Sequence, residues 1–247
     1  MLLKGKNALI TGAAGGIGKA LIGVFARQGA NIWAFTLEPS NAFEEMCESL
    51  AAESGCWVKP LYCDLADTAS RKAAFDMVMA DKLPLDVLVN NAGVMGQDKL
   101  FQWVSEAEAR RMFEVNYIAA MEVCRFAARM MARRRRGSVV NIASVAGLDG
   151  DSRADYSASK AALIAATKAL AREMAPLGIR ANALAPGMTD TPLIAGLAEK
   201  AVEDTLAKTL LRRMAEPEEI ANVAAFLGSD MASYVTGQTW RVDGGRL

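Results

Sequence analysis

Tyr156 and Lys160, in the stretch "DYSASK", are the residue types from which a proton donor and its tuner can be built. A free phenol holds its proton until about pH 10, so it is a weak acid near neutrality unless something stabilises its anion. A lysine four residues on would lie on the same helix face and bring a positive charge beside it. The same spacing, taken alone, also describes an ordinary pair on a helix surface. Alternatives for proton transfer are few, because the 247 residues include no histidine, which excludes Ser-His and Cys-His catalysis. Cys47, Cys56, Cys63 and Cys124 are scattered without a CxxC pair, which argues against a typical zinc site and suits a reducing compartment.

The second chemically suggestive stretch is "TGAAGGIG", residues 11–18, directly after the apolar run 7–11. Gly12, Gly16 and Gly18 let the chain turn tightly, and a helix opening there offers free N–H groups to a pyrophosphate. The spacing is Gly-xxx-Gly-x-Gly and lacks the Gly-Lys-Ser/Thr of a P-loop, so a dinucleotide fits better than a hydrolysed nucleoside triphosphate. A plain strand-to-helix connection is the competing reading.

Such residues need a scaffold that brings them together. Short apolar runs at 7–11, 31–35, 57–63, 86–90, 138–144 and 179–185 alternate with helix-forming stretches at 16–28, 41–54, 68–81, 106–134 and 157–175. This alternation predicts a parallel sheet covered by helices on both faces, and the near-continuous apolar strands agree with burial on both sides. Ser105 with Glu108 forms a possible capping box, and Pro217 with Glu218 and Glu219 suits the first turn of another helix. No linker or long repeat breaks the pattern, so residues 1–247 read as one domain. With 52% hydrophobic residues the core is amply supplied, and 28 basic residues balance 28 acidic ones. That balance gives no global attraction to nucleic acid or to a membrane surface. No apolar run approaches a membrane span, and the start "MLLKGKNALITG" is too short in apolar residues for a signal peptide, so a cytoplasmic protein is expected.

The glycine turn, "NNAG" at 90–93, Asn116 in "FEVNY", Ser144 in "NIASVAG", Tyr156 and Lys160 in "YSASK", and "APG" at 185–187 occur in one order. Together they resemble the classical short-chain dehydrogenase/reductase family over essentially the whole chain. Within it the tail 210–245 is most similar to bacterial 3-oxoacyl-[acyl-carrier-protein] reductases. The resemblance implies a Rossmann-type doubly wound sheet of about seven strands and an oxidoreductase moving hydride between nicotinamide and a carbonyl or secondary alcohol. In that chemistry Tyr156 donates the proton, Lys160 lowers its pKa and binds the nicotinamide ribose, Ser144 holds the carbonyl oxygen, and Asn116 helps hold a water. Gly12, Gly16, Ile17 and Gly18 would surround the pyrophosphate and Thr36 the adenosine ribose. Asp64 and Leu65 would meet the adenine, Asn91 and Gly93 the ribose side, and Pro186, Gly187 and Thr189 the nicotinamide end. The segment 188–212 would form a substrate lid, with Met188, Leu193, Ile194 and Leu197 available to an acyl chain. The small residues between Tyr156 and Lys160 would keep the nicotinamide unobstructed, so a larger residue at Ala158 is expected to interfere.

Two departures qualify the resemblance. Neither a carboxylate at Thr36 nor a basic residue in the glycine turn or at 32–58 marks the adenosine pocket, and NADP(H) is favoured over NAD(H) because nothing there opposes a 2'-phosphate. The run Arg133 to Arg136 falls where the related reductases meet acyl carrier protein, but Leu177 stands where they carry a second basic residue. An acyl-thioester substrate, an acyl carrier protein partner and a homotetramer are what the resemblance implies. The arginine run also reads as cations capping a helix C-terminus, with no nucleic-acid role. A non-catalytic dinucleotide sensor on the same fold is the alternative of another class, and another small alcohol, sugar or steroid-like substrate is the alternative within the family.

Overall fold

The apolar runs form seven strands in the computed structural model, which describes residues 1–97, 99–194 and 199–246. They are β1 (Asn7–Thr11), β2 (Asn31–Thr36), β3 (Val58–Tyr62), β4 (Val87–Asn90), β5 (Gly137–Ile142), β6 (Ile179–Pro186) and β7 (Thr239–Val242). All pair in parallel in the order β3-β2-β1-β4-β5-β6-β7. The strand order reverses direction between β1 and β4. In open α/β sheets ligands bind beyond the strand carboxyl ends at such a switch.

Nine helices link the strands among the described residues: α1 (Gly16–Arg27), α2 (Asn41–Ser54), α3 (Thr68–Ala80), α4 (Glu106–Phe113), α5 (Ala120–Ala132), α6 (Ala146–Asp149), α7 (Ala154–Met174), α8 (Glu199–Ala207) and α9 (Pro217–Gly228). Strand side chains alternate between two cores, as the period of two demands. Ala8, Ile10, Ile32, Ala34, Val87, Val89, Val140 and Ile142 pack with α1 and α9 on one face. Leu9, Trp33, Phe35, Leu88 and Val139 pack with α3 and α5 on the other. Pro60 sits on the edge strand β3, where its missing N–H breaks no central ladder.

Both proposed helix starts hold. Ser105 and Glu108 cap α4 reciprocally, and Pro217 occupies the first turn of α9 behind a second capping box from Glu216 and Glu219. One expectation is corrected: 106–134 is not one regular helix. A π-helical segment, Glu114–Ala119, separates α4 from α5 and contains Asn116. Such widened turns are concentrated at functional sites, and hydropathy period alone does not reveal them. Three members of the arginine run are engaged: Arg134 with Asp86 at 3.5 Å, Arg135 with the Pro176 carbonyl at 2.6 Å and Arg136 with Asp230 at 2.8 Å.

Candidate active site

The glycine turn is tight because no side chain fits inside it. A Cβ on Gly18 would stand 1.9 Å from the Gly12 carbonyl oxygen, and one on Gly16 would stand 2.5 Å from Thr191 Cγ2. Gly12 itself adopts φ +64°, a conformation that glycine reaches without strain. The turn leads into α1, whose N-cap, Gly15, brings no side chain to accept from the first-turn N–H groups. These groups and the positive helix end suit a pyrophosphate. Thr11 braces the turn against the β4 end: its Oγ accepts from the N–H of Asn91 at 3.0 Å and of Ala92 at 3.1 Å. The Asn91 amide in turn donates to the Thr11 and Gly12 carbonyls. Thr11 is a positioning residue that motif reading passed over.

One cleft of about 930 Å³ runs from this turn over the sheet. It is lined by Gly12, Gly16, Ile17, Gly18, Thr36, Asp64, Leu65, Asn91, Gly93, Ser144, Tyr156, Lys160, Pro186, Gly187 and Thr189. Residues 12 to 189 in sequence thus converge because β1, β4, β5 and β6 end side by side. Met188, Leu193 and Ile194 line the cleft from the expected lid, while Leu197 lies outside the described residues. Thr36 and Leu37 bring no charge to the adenosine end.

Asn116 does not line the cleft. It is buried behind Gly93, accepting from the Val94 N–H at 2.8 Å and donating to the Val94 carbonyl and to Ser159 Oγ. Ser159 Oγ donates to the Tyr156 carbonyl at 2.7 Å. This chain of bonds joins the π-helical segment to α7. Ser159 is the second positioning residue missed, although its place three residues after Tyr156 on one helix is the available signal. Ala158 is exposed and absent from the cleft lining, contrary to the expectation that it faces the nicotinamide. Two residues advance a helix by about 200°, which turns position 158 away from the face shared by 156 and 160.

Tyr156 and Lys160 are both buried. The Lys160 ammonium donates to the Ile142 carbonyl at 2.9 Å and lies 5.9 Å from the Tyr156 ring centroid. A side chain on Gly93 would crowd it, since a Cβ there would approach Nζ to 3.2 Å. Burial pushes the Tyr156 phenol above its usual pKa; a hydrogen bond with Ser144 pulls the other way and the Asp151 charge adds to the rise. Lys160 is not among the groups that set this direction. The lysine is itself desolvated, which brings its pKa down to about 8, and its ammonium is directed at a carbonyl. Immediately before Tyr156, Arg153 and Asp155 form a buried ion pair at 2.7 Å, and Asp155 accepts from the Tyr156 N–H. Arg153 also donates to the Gln97 carbonyl, tying the loop after β4 to the start of α7.

The parallel seven-stranded sheet and the glycine turn at its switch point define an α/β protein of dinucleotide-binding fold, with Ser144, Tyr156 and Lys160 gathered in the cleft beyond β5. Comparison with known proteins narrows the class. Residues 12–246 match the sequence family described as enoyl-(acyl carrier protein) reductase. The chain is 40% identical over 248 residues to a 3-oxoacyl-[acyl-carrier-protein] reductase of Thermotoga maritima, covering 99% of both chains. A crystal structure of a 3-oxoacyl-[acyl-carrier protein] reductase from Brucella melitensis with bound NAD superposes with a TM-score of 0.91 at 34% identity, covering 99% of this chain and 92% of that one. A Beutenbergia cavernae protein with bound NADP gives the same TM-score at 36% identity, covering 98% and 96%. The chain belongs to the short-chain dehydrogenase/reductase family.

Proposed function

We propose that the protein is an NAD(P)(H)-dependent oxidoreductase that reduces the 3-oxo group of an acyl thioester, with Tyr156 as proton donor. The observation that carries this reading is the placement of Ser144, Tyr156 and Lys160 in the same cleft as the glycine turn. A dinucleotide fits the turn, whose closeness no side chain would permit and whose helix end offers uncapped N–H groups. When bound, the nicotinamide supplies the hydride. Gly12, Gly16, Ile17 and Gly18 hold the pyrophosphate; Asn91, Gly93 and Lys160 hold the nicotinamide ribose; Pro186, Gly187 and Thr189 border the nicotinamide.

Ser144 holds the substrate carbonyl oxygen beside the Tyr156 hydroxyl. The phenol gives that oxygen its proton as negative charge develops, a contribution of roughly 10²- to 10⁴-fold. Lys160 keeps its charge near neutral pH, since its pKa is about 8, and a donated bond to Ile142 fixes it under Tyr156. Asn116 orders Val94 and Ser159, and through Ser159 the carbonyl of Tyr156. Met188, Leu193 and Ile194 provide an apolar wall for the acyl chain.

NADP(H) is the preferred cofactor in this reading, because Thr36 and Leu37 offer no carboxylate to repel a 2'-phosphate. The thioester is carried on acyl carrier protein, with Arg133, whose side chain has no partner among the described residues, as the free cation of its run. The protein works in the cytoplasm as a homotetramer; exposed Phe101, Trp103 and Tyr234 supply apolar surface for association. Among the described residues no helix is long and apolar enough to cross a membrane. The test is parallel titration with NADH and NADPH, with and without an acetoacetyl thioester. Thioester-dependent oxidation faster with NADPH is expected; binding without turnover on any carbonyl or alcohol favours a sensor.

A further inference from the structure

A buried cation braces the turn after β3 without lining the cleft. Arg71, near the start of α3, is 6% exposed. Its guanidinium donates to the Leu65 carbonyl and to Thr68 Oγ at 2.9 Å. Asp64, Leu65 and Ala66 of that turn line the cleft, whereas Arg71 does not.

Residues 64–71 hold much of their own shape. Asp64 donates its N–H to Ser70 Oγ at 2.9 Å and accepts from the Ala66 N–H at 2.8 Å, while Asp67 caps the first turn of α3. The ion pair of Arg71 reaches further. It joins Glu114, at 3.2 Å and 43 positions on in sequence, which is the first residue of the π-helical segment. Glu114 is half-buried and outside the cleft lining, although its neighbour Val115 is in it. An arginine taken out of water needs an anion and acceptors in place of that water. Here the acceptors come from the turn and the anion from the π-helical segment, so one guanidinium fixes the two against each other. Without it the Leu65 carbonyl loses this donor and the wall of the cleft loses its brace.

We infer that Arg71 is a positioning residue for the adenosine half of the dinucleotide, and that Glu114, from outside the cleft, tunes adenosine affinity by neutralising it. This rests on the assignment of Asp64 and Leu65 to the adenine and adds the groups that hold them in place.

The experiment measures Kd by fluorescence titration for NADH and for reduced nicotinamide mononucleotide, which lacks the adenosine half. NADH keeps a 2'-phosphate out of the comparison. The readout is the ratio of Kd values, mononucleotide over NADH, which a general loss of folded protein or of nicotinamide binding would leave unmoved. Arg71→Met is expected to lower that ratio roughly 10-fold and Glu114→Gln roughly threefold. The double variant should lose no more than Arg71→Met alone, because the two side chains act as one unit. Lys72→Met, at an exposed residue of α3 paired with Asp76, should leave the ratio at its wild-type value. An unchanged ratio in Arg71→Met overturns the inference, and losses that add in the double variant overturn the role of Glu114. Should Arg71→Met fail to fold by circular dichroism, Glu114→Gln decides in its place: a lowered ratio supports the inference and an unchanged one overturns it. A wild-type protein that binds the mononucleotide as tightly as NADH overturns the adenosine assignment and the inference together, whereas a high wild-type ratio that the variants leave unmoved overturns the inference alone.

Discussion

The two ends of the cleft are built on different principles. At the end around Tyr156, proposed for the nicotinamide, the groups are side chains, buried and fixed: Lys160 by Ile142, Asn116 by Val94 and Ser159, Asp155 by Arg153. At the glycine turn, proposed for the pyrophosphate, the groups are backbone, and what matters is the absence of side chains at Gly12, Gly16 and Gly18. Proton transfer needs a particular titratable atom at a particular place, whereas phosphate binding needs only N–H groups and room. The adenosine end is looser still, with Thr36 neutral and Leu37 57% exposed.

The largest effect should come from the nicotinamide end. Tyr156→Phe removes the donor and keeps the ring that packs with Met112 and Ala146. The expected loss in kcat/KM is roughly 10²- to 10⁴-fold, with dinucleotide affinity by fluorescence titration changed less than about threefold. Retained turnover would reject the acid role. Gly18→Ala makes the converse break. Its Cβ meets the Gly12 carbonyl, so the turn must open, and dinucleotide affinity should fall by roughly tenfold or more. Comparable affinity in this variant would show that the turn does not hold the cofactor.

The third expectation concerns the buried lysine and the direction of its titration. Burial lowers Lys160 from 10.5 to about 8 in the folded protein, while the unfolded chain keeps the ordinary value. Between about pH 8 and 10.5 the unfolded state binds more protons, so stability rises with pH across that window. The contribution is fully present above 10.5 and is lost as pH falls through about 8. Lys160→Met should therefore be more stable than wild type at pH 7 by at most a few kcal/mol, with the advantage fading towards pH 10.5. Thermal melts across this range check the sign. A difference independent of pH would point to packing instead of charge.

The two ends also differed in how far they were legible from the amino acids. Strand runs and the glycine turn were readable because burial and backbone geometry leave local signatures, alternating strands and spaced glycines. Tyr156 and Lys160 were readable as a pair, but the direction of the phenol's shift was not, because desolvation depends on what covers a residue. The orientation of Lys160 towards Ile142 depends on where β5 ends relative to α7, a tertiary fact. The π-helical segment at 114–119 and the Thr11 and Ser159 bridges were likewise hidden, since each is a contact between elements distant in sequence. Ala158 differs for a simpler reason: small size does not mark a ligand face, because helix phase decides which way position 158 turns.

The smallest expected effect probes the loose adenosine end, where one charge should choose between two cofactors. Thr36 is 7% exposed and lines the cleft, so Thr36→Asp places a carboxylate where a 2'-hydroxyl can donate and a 2'-phosphate is repelled. Leu37 is exposed beside it, so Leu37→Arg adds a cation without burying one. The NADPH-to-NADH ratio of kcat/KM should fall roughly tenfold in the first and rise by a similar factor in the second. Raising ionic strength should shrink both shifts, because charges at this open end are screened while the buried Lys160 is not. A ratio that moves in neither variant would mean that the adenosine lies elsewhere in the cleft, and that the neutral Thr36-Leu37 pair has no part in cofactor choice.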